Sequence, residues 1–313
     1  MKIIRRDQIE RILPSLDLMP EIEQAFQAYS KGRAVVPPVG ELLLDRGEVH
    51  IKYGYLKQQQ HYVIKIASGF YEDQAMKQMS SNGMMLLFSQ KSGQAVCALL
   101  DEGLLTNVRT AVAGAIAAKY LAPERVDKIG MVGAGTQARL QLSYLKPVTS
   151  CRKVMVWGTS REELESYRLD MEQEGFDIKS TMDIRELQQQ CRLIVTTTPS
   201  KTPLLLSDYL QKGTHITAVG SDTPDKQELD PKILGKADLV VADSMEQCLL
   251  RGEIHQAIKA GLLEKHQMIE LGHVISGQTL GRESMDQITV ADLTGVAVQD
   301  LAIAEAVYKA SQA

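Results

Sequence analysis

The pattern of apolar and polar positions changes character part-way along the chain. From about Val126 onward, short apolar runs alternate with longer polar or amphipathic stretches. Residues 128–133 read as a buried strand, 137–146 as a helix, KVMVWG as a second strand and REELESYRLDMEQEG as a polar helix ended by Gly175. FDIKST, DIRELQQQC, RLIVTTTP, THITAVGS and ADLVVADS continue the alternation. Short apolar strands separated by helices imply a parallel sheet covered on both faces. This stretch is therefore expected to form an α/β, doubly wound, Rossmann-type domain.

The part before it looks different. GELLLDRGEVHIKYGYL, HYVIKIASGF and GMMLLFSQKSGQAVCALLD are β-rich segments joined by glycine-containing turns, and QKSGQ suits a hairpin turn. A mainly antiparallel domain is expected there. The small-residue segment TAVAGAIAAKYLA reads as a helix carrying the chain between domains, and the tail DLTGVAVQDLAIAEAVYKAS as a second Ala-rich helix returning to the first. The expected division is 1–117 with 290–313 for the β-rich domain and 118–289 for the nucleotide-binding one.

Composition narrows the partners. A chain of 313 residues can bury two cores, and its net charge of −4 supplies no basic field for nucleic acid. Apolar stretches are broken well before the roughly 18 residues a membrane span needs. MKIIRRDQIERILPSLDL lacks the continuous apolar core of a signal peptide, so a cytoplasmic location and no membrane partner are expected. Cys97, Cys151, Cys191 and Cys248 are far apart and form no CxxC pair, and no two of the six histidines share the i, i+4 spacing of a helical metal site. Reduced thiols and no metal are the expectation.

The chemistry begins at KIGMVGAGTQARLQL. Gly133, Ala134, Gly135, Thr136, Gln137 and Ala138 place a GxGxxA turn directly after a strand and at a helix start. Glycines there let backbone N–H groups approach a pyrophosphate, whose charge the helix N-terminus favours. At the end of the second strand, where an acid would accept hydrogen bonds from an adenosine ribose, the chain has Gly158, Thr159, Ser160 and Arg161. Hydroxyls and a guanidinium suit a 2′-phosphate, so NADPH is expected, with NADH as the alternative; the competing reading is that Arg161 merely begins a solvated helix. Thr197 and Thr198 in TTTP, and Val219, Gly220 and Ser221 in AVGSD, follow strands and so face the ligand crevice of such a sheet.

LLTNVRTAVAGAIAAKYLA, GMVGAGTQA and AVGSDTPDKQELD, at their mutual distances, resemble the ornithine cyclodeaminase and mu-crystallin family over nearly the whole chain. The resemblance implies hydride transfer at a carbon bearing nitrogen and carboxylate. It makes Arg109, in the family's RT motif, and Lys65, in YVIKIASG, the clamp for the substrate carboxylate, with Asp222 as the acid that handles the proton on nitrogen. Without the family, Lys65 would read as an exposed strand lysine and Asp222 as a turn residue before Pro224. Ser80, with its neighbour Ser81, and Thr110 correspond to positions that contact the cofactor in relatives. One departure is visible: where members carry an arginine after P-V, this chain has Gly40, and Lys52 is the nearby candidate for the missing charge. The family further implies a homodimer formed through the β-rich domain, which would bind substrate as well.

Three reactions and one binding role follow from the resemblance. The expected activity is reduction of a cyclic ketimine, Δ1-pyrroline-2-carboxylate or its six-membered homologue Δ1-piperideine-2-carboxylate, to L-proline or L-pipecolate. Ornithine cyclodeamination, with retained NAD, is the alternative that Asp222 favours and WGTSRE disfavours. Alanine dehydrogenase activity and NADPH-dependent small-molecule binding complete the set.

Overall fold

The computed structural model describes residues 1–73 and 78–312, without the side chains of residues 71–81. The chain divides into two compact units, Met1–Arg109 with Val296–Ala313, and Thr110–Gly295. Both changes of unit lie some way from the 117/118 and 289/290 boundaries read from sequence. The first falls inside the helix Leu104–Leu121 and the second follows a strand that belongs to the parallel sheet.

In the first unit, β1 (Lys2–Arg5), β2 (Ala34–Val35), β3 (Gly40–Leu44), β4 (Gly47–Leu56), β5 (His61–Asp73), β6 (Gln78–Ser89) and β7 (Ala95–Leu100) form one sheet. Its order is β1-β7-β6-β5-β4-β2, with β3 added to β4. All pairings are antiparallel except β1 with β7. QKSGQ makes the β6–β7 turn, where Gly93 adopts φ +69°, a conformation that costs glycine no Cβ clash. The helices Leu18–Ser30 and Ala297–Ala310 pack together, and the latter also lies on β4 and β5. That contact matters for the site, because it brings a C-terminal helix onto the middle strands.

In the second unit, β8 (Ile129–Val132), β9 (Lys153–Trp157), β10 (Asp177–Thr181), β11 (Leu193–Thr196), β12 (His215–Ala218), β13 (Leu239–Ala242), β14 (Met268–Glu270) and β15 (Thr289–Asp292) form a wholly parallel sheet in the order β10-β9-β8-β11-β12-β15-β13-β14. Its central strands are buried almost throughout, and their Val, Ile and Met side chains join those of the helices in one core. The strand order reverses between β8 and β11, so the fold is the expected Rossmann-type α/β arrangement and its ligand crevice lies outside the carboxyl ends of those two strands. No helix among the described residues is long and apolar enough to cross a membrane.

The tail departs from the sequence reading. Asp292 closes β15, Gly295 turns the chain at φ +83°, and the helix begins only at Ala297. The DLTG segment is thus a strand end and turn, because pairing with β12 and β13 holds residues 289–292 extended.

Candidate active site

The first unit buries a cluster of charge. Lys65 on β5 lies directly opposite Lys52 on β4 in the antiparallel register, so the two side chains share one face of the sheet. Both are buried, at 2% and 8% exposed, as is Arg109 at 6% on the helix Leu104–Leu121. Asp300, fully buried on the helix Ala297–Ala310, receives Lys65 Nζ at 3.1 Å and lies 3.0 Å from Arg109 Nε. Arg109 Nη1 donates to Gln299 Oε1 at 2.9 Å. An arginine can only donate, which fixes the amide oxygen of Gln299 toward it and leaves Gln299 Nε2 buried without a hydrogen-bond partner among the described residues.

Lys52, Lys65 and Arg109 are thus buried in the same region as Asp300 and Asp101. Asp101 Oδ2 is engaged in capping, accepting from Leu105 N at 2.8 Å, and burial raises its carboxyl above the ordinary range. Burial, reinforced by Arg109, pushes the Lys65 ammonium down to about 7. A further anion placed here would hold Lys65 protonated and give Gln299 Nε2 an acceptor. The cluster has the chemistry of a carboxylate site.

The second unit carries the dinucleotide elements. Gly133 has φ +109°, and a Cβ there would lie 2.7 Å from Thr197 Oγ1, so this position accepts only glycine. Gly135, the N-cap of helix Thr136–Tyr144, is different: a Cβ there would meet nothing within 4 Å. Its openness leaves the backbone approachable at the helix N-terminus, while buried Ala138 packs that helix closely. Gly135 and Thr136 are exposed, Ala134 is buried, and Gln137 Oε1 accepts from Gln141 Nε2 at 3.4 Å. These residues fit a pyrophosphate cradle. The carbonyl of Thr110 accepts from Gln141 Nε2 at 3.0 Å, a helix-to-helix contact.

At the exit of β9, Thr159 and Arg161 are exposed, and Ser160 caps the next helix by accepting from Glu163 N at 3.3 Å. Thr197 follows β11 and bonds back to Val132 through both its N–H and its hydroxyl, at 2.9 and 3.1 Å. Thr198 and Gly220 are held by Glu228, Val219 N donates to Thr196 O, and Ser221 Oγ donates to Lys226 O at 2.7 Å. Asp222 is half-buried and paired with Lys226 Nζ at 2.7 Å, and its backbone carbonyl accepts from Arg251 Nη1 at 3.4 Å. The side chains of Ser80 and Ser81, on β6, lie outside the described residues.

Sequence reasoning thus named Lys52, Lys65 and Arg109, which the fold brings together, but missed Asp300, Gln299, Lys226 and Glu228. VAVQDLAIA offers one signal in hindsight: two adjacent polar residues inside an apolar helical run. Glu228 and Lys226 look from sequence like solvated turn residues after Pro224.

Known proteins are similar to this chain over its whole length. An uncharacterized cyclodeaminase of Sinorhizobium fredii is 40% identical over 320 residues, covering 100% of this chain and 96% of that protein. An archaeal alanine dehydrogenase dimer with bound NAD superposes with TM-score 0.91 at 31% identity, covering 100% and 96% of the two chains. The Δ1-pyrroline-2-carboxylate reductase of Thermococcus litoralis, in complex with NADH and L-proline, gives TM-score 0.92 at 26% identity over 100% and 98%. The model of the ornithine cyclodeaminase/mu-crystallin family matches residues 2–313, and the chain belongs to that family.

Proposed function

We propose that this protein is an NAD(P)H-dependent reductase of a cyclic α-imino acid, converting Δ1-pyrroline-2-carboxylate, Δ1-piperideine-2-carboxylate or both to the corresponding L-amino acid. The observation that carries this reading is the buried group of Lys52, Lys65 and Arg109 gathered beside Asp300, with Gln299 Nε2 buried there without an acceptor among the described residues. A buried donor left without an acceptor is costly, and an anionic ligand held by these basic side chains would supply one. Arg109 holds the carboxylate with its planar fork and Lys65 adds a second cation. Lys52 stands in for the family arginine absent at Gly40. Gln299 Nε2 donates to the same anion.

When bound, the reduced nicotinamide supplies a hydride to the imine carbon. Reduction also needs one proton on the ring nitrogen. Asp222, paired with Lys226, stabilises the protonated imine as it forms and orients the proton donor. The cradle at Gly133 to Gln137 binds the pyrophosphate, and Thr197, Thr198 and the 219–221 loop flank it at the strand ends. Thr159, Ser160 and Arg161, with no acid among them, favour NADPH over NADH. The relatives named above support a nicotinamide dinucleotide in general, with NAD or NADH in their own structures.

Ornithine cyclodeamination is the second reading. Asp222 with Lys226 favours it, as does the name of the S. fredii relative. A homodimer is proposed through the first unit, where β3 presents Leu42, Leu43 and Leu44 at 55%, 79% and 51% exposed.

The test is a set of parallel assays: NADPH and NADH oxidation with Δ1-pyrroline-2-carboxylate, ammonia release from L-ornithine with NAD+, and NADH oxidation with pyruvate and ammonia. Fast dinucleotide loss with the cyclic imine and no ammonia from ornithine is expected. Ammonia and proline from ornithine without net redox change would replace the reductase by the cyclodeaminase, and turnover of pyruvate alone by an alanine dehydrogenase.

A further inference from the structure

Glu228 is fully buried, yet both its oxygens are occupied by groups from two different strand ends. Oε1 accepts from Thr198 N at 2.6 Å and from Thr198 Oγ1 at 2.7 Å. Oε2 accepts from Thr196 Oγ1 at 2.7 Å and from Gly220 N at 3.0 Å. The first pair of groups leaves β11 and the second ties β11 to the exit of β12. The two loops touch: a Cβ at Gly220 would lie 2.2 Å from Thr198 O and 2.5 Å from Glu228 Oε2.

Glu228 is itself held from behind. Its N–H and that of Leu229 donate to Glu253 Oε1 and Oε2 at 2.7 and 3.2 Å, and Ile254 N, next in the chain, donates to Asp292 Oδ2 at 2.8 Å. Each oxygen of Glu228 thus takes one hydroxyl and one backbone N–H. The hydroxyls can rotate, but the backbone groups can only donate. A glutamine amide presents one oxygen and one NH2, so in either orientation its NH2 faces a backbone N–H. Aspartate is one methylene too short. The site demands a carboxyl group of this length, whereas a residue that merely filled space would not.

We propose that Glu228 is a positioning residue for dinucleotide binding, its buried carboxyl group bridging the loops 196–198 and 219–221 so that both keep the geometry that receives the cofactor. The proposal rests on the functional reading above, which assigns those loops to the dinucleotide. It adds that their shape is set by a group that does not itself touch the ligand.

The experiment uses the full-length protein, Glu228→Gln and Thr196→Val, with NADPH and NADH binding titrated by fluorescence, both KM values measured, and the thermal midpoint recorded. Glu228→Gln should raise the dinucleotide Kd and KM about tenfold, the cost of leaving a buried donor without its acceptor, while the imino-acid KM stays within about twofold. Thr196→Val, isosteric and fully buried, should show the same split at about two- to threefold. A merely structural role would lower the amount of folded enzyme, and so the apparent kcat, with both KM values unchanged; that result overturns the proposal. If Glu228→Gln does not fold, Thr196→Val decides alone, and a lowered midpoint with unchanged dinucleotide Kd counts against it. Wild-type protein that binds neither NADPH nor NADH would sink the functional reading and this proposal with it. Equal binding by wild type and Glu228→Gln would sink the proposal only.

Discussion

The two units each bury a knot of ionisable groups, and the knots have opposite sign. In the first, Lys52, Lys65 and Arg109 gather beside Asp300 and Asp101, and a donor on Gln299 lacks a partner among the described residues. In the second, Glu228, Glu253, Asp292 and Asp243 are buried, and each accepts from backbone N–H groups or hydroxyls. Burial raises Glu228 to about 7 and Glu253 to about 8, and Asp292 well above its ordinary value. The acids accept mainly from backbone N–H groups of their own unit, although Asp292 Oδ1 has no partner among the described residues. The cationic knot leaves a donor, Gln299 Nε2, without an acceptor among the described residues, which suits the anionic ligand proposed for it. Both knots are buried; they differ in sign and in the groups that answer them.

The sharpest way to break this contrast is to remove the cation with the most directional role. Arg109→Ala should lower kcat/KM for the imino acid by about 10³-fold, as expected when one partner of a buried charged pair is lost, while the dinucleotide Kd is unchanged. A loss confined to dinucleotide binding would mean that the first unit does not hold the substrate carboxylate.

Next in size is Gly135→Ala. The added methyl meets no protein atom, so the thermal midpoint should hold, yet it intrudes where a pyrophosphate would approach. Dinucleotide Kd should rise about 10- to 100-fold, comparable to losing one or two well-placed bonds. Gly133→Ala should instead lower the midpoint, because its φ of +109° and the 2.7 Å approach to Thr197 Oγ1 strain the fold.

The pH dependence of stability should have opposite slopes for the two knots. Lys65 binds its proton in the unfolded chain up to about 10.5 but in the folded one only to about 7, so wild type gains stability relative to Lys65→Met as pH rises from 7 toward 10. Glu253 titrates near 4.5 unfolded and about 8 folded, so the folded state holds the extra proton between those values. Its contribution is fully present below about pH 4.5 and is lost as pH rises through 8, and wild type should therefore lose stability relative to Glu253→Gln over that window. Urea unfolding at stepped pH measures both, with at most about 1.4 kcal/mol per pH unit for each group. Parallel slopes would dissolve the contrast.

The smallest effect concerns cofactor choice. Arg161→Ala should reduce preference for NADPH over NADH about tenfold in kcat/KM, the scale of one exposed phosphate contact, and an unchanged ratio would return Arg161 to the role of a helix-starting surface residue.

Much of this was legible in the chain, and unevenly so. The glycine turn at 133–135 could be read because its demands are local: a strand, a tight turn and a helix start within about ten residues. Lys65 and Arg109 became legible through motifs. Asp300 did not, since it is 235 residues from Lys65 and meets it only because the C-terminal helix packs on β4 and β5. Glu228 stayed hidden for a related reason. In DKQELD it looks like one more solvated acid, and only the bridge between two strand exits reveals that it is buried. Strand β15 escaped notice because four residues of TVAD carry too little pattern to separate a strand from the helix that follows.

The most direct test of the central claim compares Δ1-pyrroline-2-carboxylate with Δ1-pyrroline, the same ring without its carboxylate, in dinucleotide oxidation by the wild-type enzyme. If Lys52, Lys65 and Arg109 serve a carboxylate, removing it should cost about 10³-fold or more in kcat/KM, because the buried cations are left without their anion. Similar rates with both imines would contradict the account and leave the cationic knot without a substrate to bind.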